Sequence, residues 1–253
     1  MGFIKMAVYG AECLLTWSVR LVFREKFDRH IYRFNVPEVW YSPWNEDSVF
    51  ASIYAAISGN TLVTKRKLYD LFSIGIQFNR LGGDYLEVGT LRGGTASLLA
   101  ATFTGTRIVL WDNWGKHVEH DDYFVEKVYS KSDDLNETRR LLEQVSPHIL
   151  DRCLFIDKPF PCESVVADWR HPFSLVHFDI YDKAAFEAGI ELMWPRIKAG
   201  GVFIVSAYGS ISLDPLTRSV NEFARKQADC LFIQSQSGLG LLIKSCSKNE
   251  IQK

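Results

Sequence analysis

Residues 84–100 read Asp-Tyr-Leu-Glu-Val-Gly-Thr-Leu-Arg-Gly-Gly-Thr-Ala-Ser-Leu-Leu-Ala, and no other stretch constrains the fold as much. Tyr85, Leu86 and Val88 are strand formers in a short apolar run that Gly89 ends. Gly93 and Gly94 follow, then the helix formers Ala96, Leu98, Leu99 and Ala100. A strand, a glycine turn and a helix start make the first half of a βαβ unit. Gly89 and Gly93 lack a Cβ, so backbone there admits a close approach by a ligand. Glu87 sets a carboxylate at the mouth of the loop.

Three ligands suit such a loop. A P-loop ends in Gly-Lys-Ser/Thr, which is absent. A dinucleotide site wants Gly-x-Gly-x-x-Gly, but Leu91 stands two after Gly89. S-adenosylmethionine has no pyrophosphate and needs no full phosphate cradle. Its methionine ammonium is served by a carboxylate such as Glu87. The competing reading is a strand-to-helix turn in another kind of α/β protein, because fold-level motifs are widely shared.

A chain of 253 residues suits one α/β domain, expected over 61–246, with an N-terminal helical and aromatic extension over 1–60. A formal net charge of -1 gives nucleic acid no bulk attraction, so none is expected as a partner. Cys13, Cys153, Cys162, Cys230 and Cys246 are scattered and lack Cys-x-x-Cys spacing. They read as packing thiols of a reducing compartment, the cytoplasm. Within residues 3–26, the stretch 3–23 is apolar but interrupted by Lys5, Glu12 and Arg20, too broken to span a bilayer. They are expected to pack against protein, as in a homo-oligomer interface. The alternative is peripheral membrane contact, with Lys5, Arg20, Arg24 and Lys26 near headgroups.

Along the chain, Trp40, Tyr41, Pro43 and Trp44 mark an aromatic connector. Thr64 is placed to cap a helix carrying Leu68, Leu71, Phe72 and Ile76, closed by Gly82-Gly83. Arg107–Trp111 is the second strand and ends at Asp112, where a doubly wound fold holds a ribose that a carboxylate can accept from. Residues 113–123 crowd His117, Glu119, His120, Asp121 and Asp122 into one loop. His117 or His120 is a candidate general base, since imidazole titrates near neutral pH, while a solvated polar loop explains each residue separately. Further on, helices are expected at Ser132–Gln144, Cys162–Trp169, Ala184–Ile197 (stopped by Gly200-Gly201) and Leu213–Ala228. Strands are expected at Cys153–Ile156, Phe173–Ile180, Val202–Val205, Leu231–Gln234 and Leu239–Lys244, the last two as an antiparallel hairpin edge.

This order of elements, with Gly83–Gly89, Arg92-Gly93-Gly94, Asp112, His177-Phe178-Asp179, Trp194-Pro195, Gly200-Gly201, Tyr208-Gly209 and Gly238-Leu239-Gly240, resembles a class I S-adenosylmethionine-dependent methyltransferase. More narrowly it resembles the macrocin O-methyltransferase family, which acts on sugar hydroxyls of natural products, and its polysaccharide-associated relatives. The resemblance covers Trp44 to Lys244. It implies a Rossmann-like, seven-stranded, mostly parallel sheet with an antiparallel C-terminal edge. It implies that S-adenosylmethionine lies against Glu87, Gly89, Arg92 and Gly93. Gly94, Thr95, Asp112 and Asn113 complete that implied set. The implied acceptor is a small molecule or glycan.

One departure carries chemistry. Family members show Asp-x-Asp on the fourth strand and Asp-Asp-Tyr-Gly after the fifth, and these acids hold a divalent metal beside the acceptor. Here Asp179 keeps the first acid, Tyr181 replaces the second, and Ser206-Ala207 replace the pair ahead of Tyr208-Gly209. One carboxylate is a poor Mg²⁺ site, so no metal is expected. The acceptor proton then falls to Asp179, His117 or His120. Two alternatives stand beside this. One is a donor-binding but catalytically silent scaffold in a glycan-assembly complex. The other is a nucleotide-binding protein without methyl chemistry.

Overall fold

The computed structural model describes residues 42–114, 134–167, 169–209 and 214–245. The compact unit begins at Pro43. It contains a seven-stranded sheet in the order β3-β2-β1-β4-β5-β7-β6. The strands are β1 (Asp84–Val88), β2 (Ile108–Asp112), β3 (Cys153–Asp157), β4 (Phe173–Phe178), β5 (Ile197–Val205), β6 (Cys230–Gln234) and β7 (Gly240–Lys244). Strands β1 to β5 pair in parallel, and β7 runs antiparallel to both β5 and β6. The expected fold class is therefore the observed one.

Helices α1 (Ser48–Ile57), α2 (Lys65–Asn79), α3 (Gly94–Thr102) and α4 (Asp134–Val145) supply one layer. Helices α5 (Glu163–Val166), α6 (Lys183–Met193) and α7 (Asp214–Lys226) follow in the chain. Both faces of the central strands are covered, which is why β1 and β4 are buried along their whole length. Side chains alternate between two cores. Tyr85, Leu110, Leu175 and Ile204 join the core under α1, α2, α3 and α4. Leu86, Trp111, Phe178 and Phe203 join the core under α6 and α7. Glu87 and His177 are in phase with Tyr85 and Leu175, so they belong to the first face.

Several sequence expectations need correction. Helix α1, which lies within the extension expected to be helical but has no bounds in the sequence reading, buries Phe50 and Ile57 in the first core, and the Asp47 carboxylate caps it through the Phe50 N–H at 2.9 Å. Thr64 stands at the start of α2 but makes no capping hydrogen bond with its side chain. Of the expected Cys162–Trp169 helix only Glu163–Val166 is helical. Gly200-Gly201 do not stop a helix. Helix α6 ends at Met193, Trp194–Arg196 forms a 3-10 turn, and both glycines lie inside β5. Pairing jumps there from Phe173↔Ile197 to Leu175↔Val202, so β5 carries extra residues in a bulge, and Gly200 supplies the positive φ of +80°. Residues 3–26, Trp40 and Tyr41 lie outside the described residues, as do Cys13 and Cys246. Among the described residues no helix is long and apolar enough to cross a membrane.

Trp111 shows how the second core is secured. It is fully buried and meets Phe160 edge-on at 4.9 Å and Trp169 at 5.8 Å between ring centroids. Its indole N–H donates to the Lys158 carbonyl at 2.7 Å, so the polar end is satisfied. Trp111→Ala is expected to destabilise the fold by about 3–5 kcal/mol, through lost transfer energy and a residual cavity. Urea denaturation checks this, and a loss below about 1 kcal/mol would mean the ring sits in a site that collapses freely.

Candidate functional site

The site is built where β1 and β4 lie side by side. Their crossovers leave in opposite directions, to β2 and to β5, so a crevice opens beyond their carboxyl ends. Gly89 follows β1, Asp112 ends β2 and Asp179 follows β4. The strand ends are locked together: the Asp179 N–H donates to Val88 O at 2.8 Å, the Gly89 N–H to Trp111 O at 3.0 Å, and the Ser206 N–H to Phe178 O at 3.0 Å.

The loop between Gly89 and α3 is held from several sides. Leu91 adopts a positive φ of 50°, a conformation unfavourable for a residue with a Cβ. Three partners hold it there. Its N–H donates to Asp112 Oδ2 at 2.7 Å, and its carbonyl accepts from Trp114 Nε1 and Thr138 Oγ1, each at 3.3 Å. The other oxygen of Asp112 accepts from the Asn113 N–H at 2.6 Å. Asp112 thus organises the loop before any ribose is considered.

The glycines have a different reason from the one the sequence suggests. A Cβ on Gly89 would lie 2.7 Å from the Asp179 carbonyl oxygen. One on Gly93 would lie 2.7 Å from the Thr138 side chain, and one on Gly94 would lie 2.5 Å from Asn60 O. The close approach these positions permit is made by the protein itself. Gly89 at φ +87° and Gly93 at φ +79° also need the left-handed backbone. Thr95, in the first turn of α3, is buried, and Arg92 is half-exposed on the loop.

Below the loop lies a buried polar network. Glu87 and His177 are register partners on β1 and β4, and both are fully buried. His177 Nδ1 is 3.2 Å from Glu87 Oε2, the oxygen that also accepts from the Tyr85 hydroxyl. Burial pushes the Glu87 carboxyl up, and this outweighs the downward pull of His177 and Tyr85. Burial and the neighbouring Glu87 carboxylate hold the Tyr85 hydroxyl well above its usual range. For His177, burial opposes the charged ring, but Glu87 and Asp179 outweigh it and the imidazole stands above its ordinary value. Glu87 Oε1, His177 Nε2, Thr90 Oγ1 and Asp179 Oδ1 are buried without a hydrogen-bond partner. Each such orphan costs about 1–3 kcal/mol. Their concentration around one loop fits a polar ligand that carries both donors and acceptors.

Lys67 completes the site from α2. Its Nζ donates to the Ser206 carbonyl at 2.7 Å. Burial lowers its pKa, and the Asp179 carboxylate acts against that. Ser206 is buried, Ala207 is half-buried, and Tyr181 is exposed. Among the described residues no three His, Cys, Asp or Glu side chains are placed to hold a metal ion. His117 and His120 lie outside the described residues. The sequence reading missed Lys67 and gave His177 no role. A signal for Lys67 exists: it is in step with Leu71 and Gly75, one and two turns on, so a charge stands on the buried stripe of α2.

No protein-family model matches this sequence, and no curated protein does. Solved structures do share its fold. The O-methyltransferase NovP is 16% identical with a TM-score of 0.57, over 74% of this chain and 82% of its own. The O-methyltransferase TomG from Streptomyces achromogenes, solved in complex with SAM, is 13% identical with a TM-score of 0.53, over 79% and 91%. The calicheamicin methyltransferase CalS11 is 12% identical with a TM-score of 0.55, over 83% and 98%. The fold is thus the Rossmann-like fold of these methyltransferases.

The buried network makes stability depend on pH. The folded-state pKa of His177 lies above 6.5, so the folded protein binds a proton more tightly than the unfolded chain. The stability this contributes is present below pH 6.5 and is lost as pH rises through the folded value. Thermal unfolding between pH 6 and 9 is expected to show a downward trend in Tm that His177→Gln flattens. An unchanged slope in the variant would remove His177 as its source.

Proposed function

We propose that the chain is an S-adenosylmethionine-dependent O-methyltransferase that acts, without a divalent metal, on a hydroxyl of a sugar, glycan or glycosylated natural product. The observation that carries this is the set of buried, unsatisfied polar atoms under the glycine loop, at the switch point of a methyltransferase fold. When bound, S-adenosylmethionine supplies an electrophilic methyl group on a sulfonium, and the carbon–sulfur electron pair stays on sulfur as the methyl leaves.

The chain's own residues do the rest. Glu87, fixed by Tyr85 and His177, offers its unpaired Oε1 to the donor's ammonium. Asp112 accepts from the ribose hydroxyls while it holds Leu91. The backbone N–H groups at the start of α3 favour the donor's carboxylate, because unsatisfied donors gather at a helix N-terminus. Asp179 accepts the acceptor's proton, with His117 or His120 as the other candidates. A positioned base contributes about 10²–10⁴-fold, enough to stand in for the acidifying effect of a metal. Residues 3–26 serve oligomer formation in this proposal, with peripheral membrane contact as the other use.

Two outcomes are expected. Asp112→Ala lowers affinity for S-adenosylhomocysteine by about 10- to 100-fold, from the loss of charge-assisted hydrogen bonds worth about 1.5–3 kcal/mol. Calorimetry reads this, and a melting curve beside it reports whether the loop still stands. Second, labelled methyl transfer to a panel of sugars, nucleotide sugars and glycolipids survives EDTA unchanged. Loss of activity on chelation and its return with Mg²⁺ would overturn metal independence. Donor binding without turnover on any acceptor would favour the silent scaffold.

A further inference from the structure

At the carboxyl ends of β4 and β5 three features meet. Ser206 and Ala207 bring no carboxylate. Lys67, 139 residues earlier in the chain, sends its ammonium onto the Ser206 carbonyl at 2.7 Å. Asp179 Oδ1 is buried there without a hydrogen-bond partner. Asp179 is near enough to favour the charged amine, yet the two make no ion pair. Gly238, in the turn after β6, lies beside Lys67: a Cβ there would sit 3.7 Å from its Nζ, an ordinary contact distance.

An ammonium has three N–H donors, and the Ser206 carbonyl takes one. Asp179 Oδ1 can only accept. A hydroxyl group matches that pair, because its hydrogen satisfies Asp179 and its lone pairs accept from Lys67. We propose that Lys67 occupies the cation position of this site, holding the acceptor hydroxyl against Asp179 in place of a divalent metal. The inference rests on the methyltransferase reading above. A fixed ammonium lowers the cost of negative charge as the hydroxyl proton passes to Asp179, and a site shielded from water strengthens that effect. Unlike a metal, it needs no ring of carboxylates to compensate a double charge. That accounts for the absence of carboxylates at 206 and 207.

The test uses Mn²⁺ as probe in the full-length protein, read by the loss of the free-ion EPR signal. Ser206→Asp/Ala207→Asp restores the acids beside Asp179. With Lys67 retained, this variant is expected to bind Mn²⁺ at least 10-fold more weakly than the triple variant that adds Lys67→Ala. Equal affinities, or no binding by the folded triple variant, would show that Lys67 does not fill a cation position. S-adenosylhomocysteine calorimetry on the unmodified protein separates the two claims, since no binding there sinks the methyltransferase reading while the Mn²⁺ comparison still stands. A second measurement avoids the acidic variants. Lys67→Met should cut labelled methyl transfer to the best panel acceptor about 100-fold, keep S-adenosylhomocysteine affinity within about 2-fold, and be partly rescued by Lys67→Arg. Full activity in Lys67→Met would overturn the proposal.

Discussion

The pairing of β1 with β4 is the constraint on which the rest depends. These strands lie next to each other although β2 and β3 separate them in sequence. From that seam the chain runs outward both ways, and the helices covering each side cannot close over the strand ends at the seam itself. The register Glu87↔His177 places a carboxylate against an imidazole across the seam, and Val88↔Phe178 brings Gly89 and Asp179 into contact one step later. A slip of β1 by one residue would turn Glu87 into the opposite, apolar core and leave His177 without its partner. The burial of that polar pair and the position of the loop are therefore set by the same ladder.

Charge at the site is arranged around this geometry. Glu87 and His177 share a proton-bearing contact away from water, with Tyr85 closing one side. Lys67 and Asp179 lie toward the end of the neighbouring strand, where each influences the titration of His177. Buried charges persist only when paired or compensated, and here compensation is spread over five side chains from three elements and the segment after β4. Removing one member leaves the others exposed to the full cost of desolvation.

Much of this was legible in the chain because it is local. The β1–loop–α3 unit, β2 with Asp112, and β4 leading to Asp179 are each written in adjacent residues, as short apolar runs ended by turn chemistry. What escaped has its cause elsewhere in the fold. Gly200-Gly201 carry a helix-stop signature, yet the Trp194-Pro195 turn ends α6 earlier and the glycines absorb a bulge that only the pairing with β4 requires. Of Cys162–Trp169 only Glu163–Val166 is helical, and Trp169 beyond it packs on Trp111 and Phe173, residues distant in sequence. The need for glycine at 89, 93 and 94 comes from Asp179, Thr138 and Asn60, none of them sequence neighbours. Lys67 sits in a basic run, Lys65-Arg66-Lys67, that reads as a solvated helix start unless its phase with Leu71 is noticed.

The antiparallel hairpin carries a temporal consequence. Strand β7 lies between β5 and β6, so neither of these ladders is complete before residue 244 has been made. Helix α2 is complete early in synthesis, but the carbonyl that receives Lys67 arrives only at position 206. Closing so long a loop is entropically slow and comes after the local units have formed. The partners that hold the loop after β1, namely Asn60, Asp112, Thr138 and Asp179, are all made before Ser206. A chain that has grown only to residue 205 has been given every named partner of that loop but not the carbonyl that fixes Lys67.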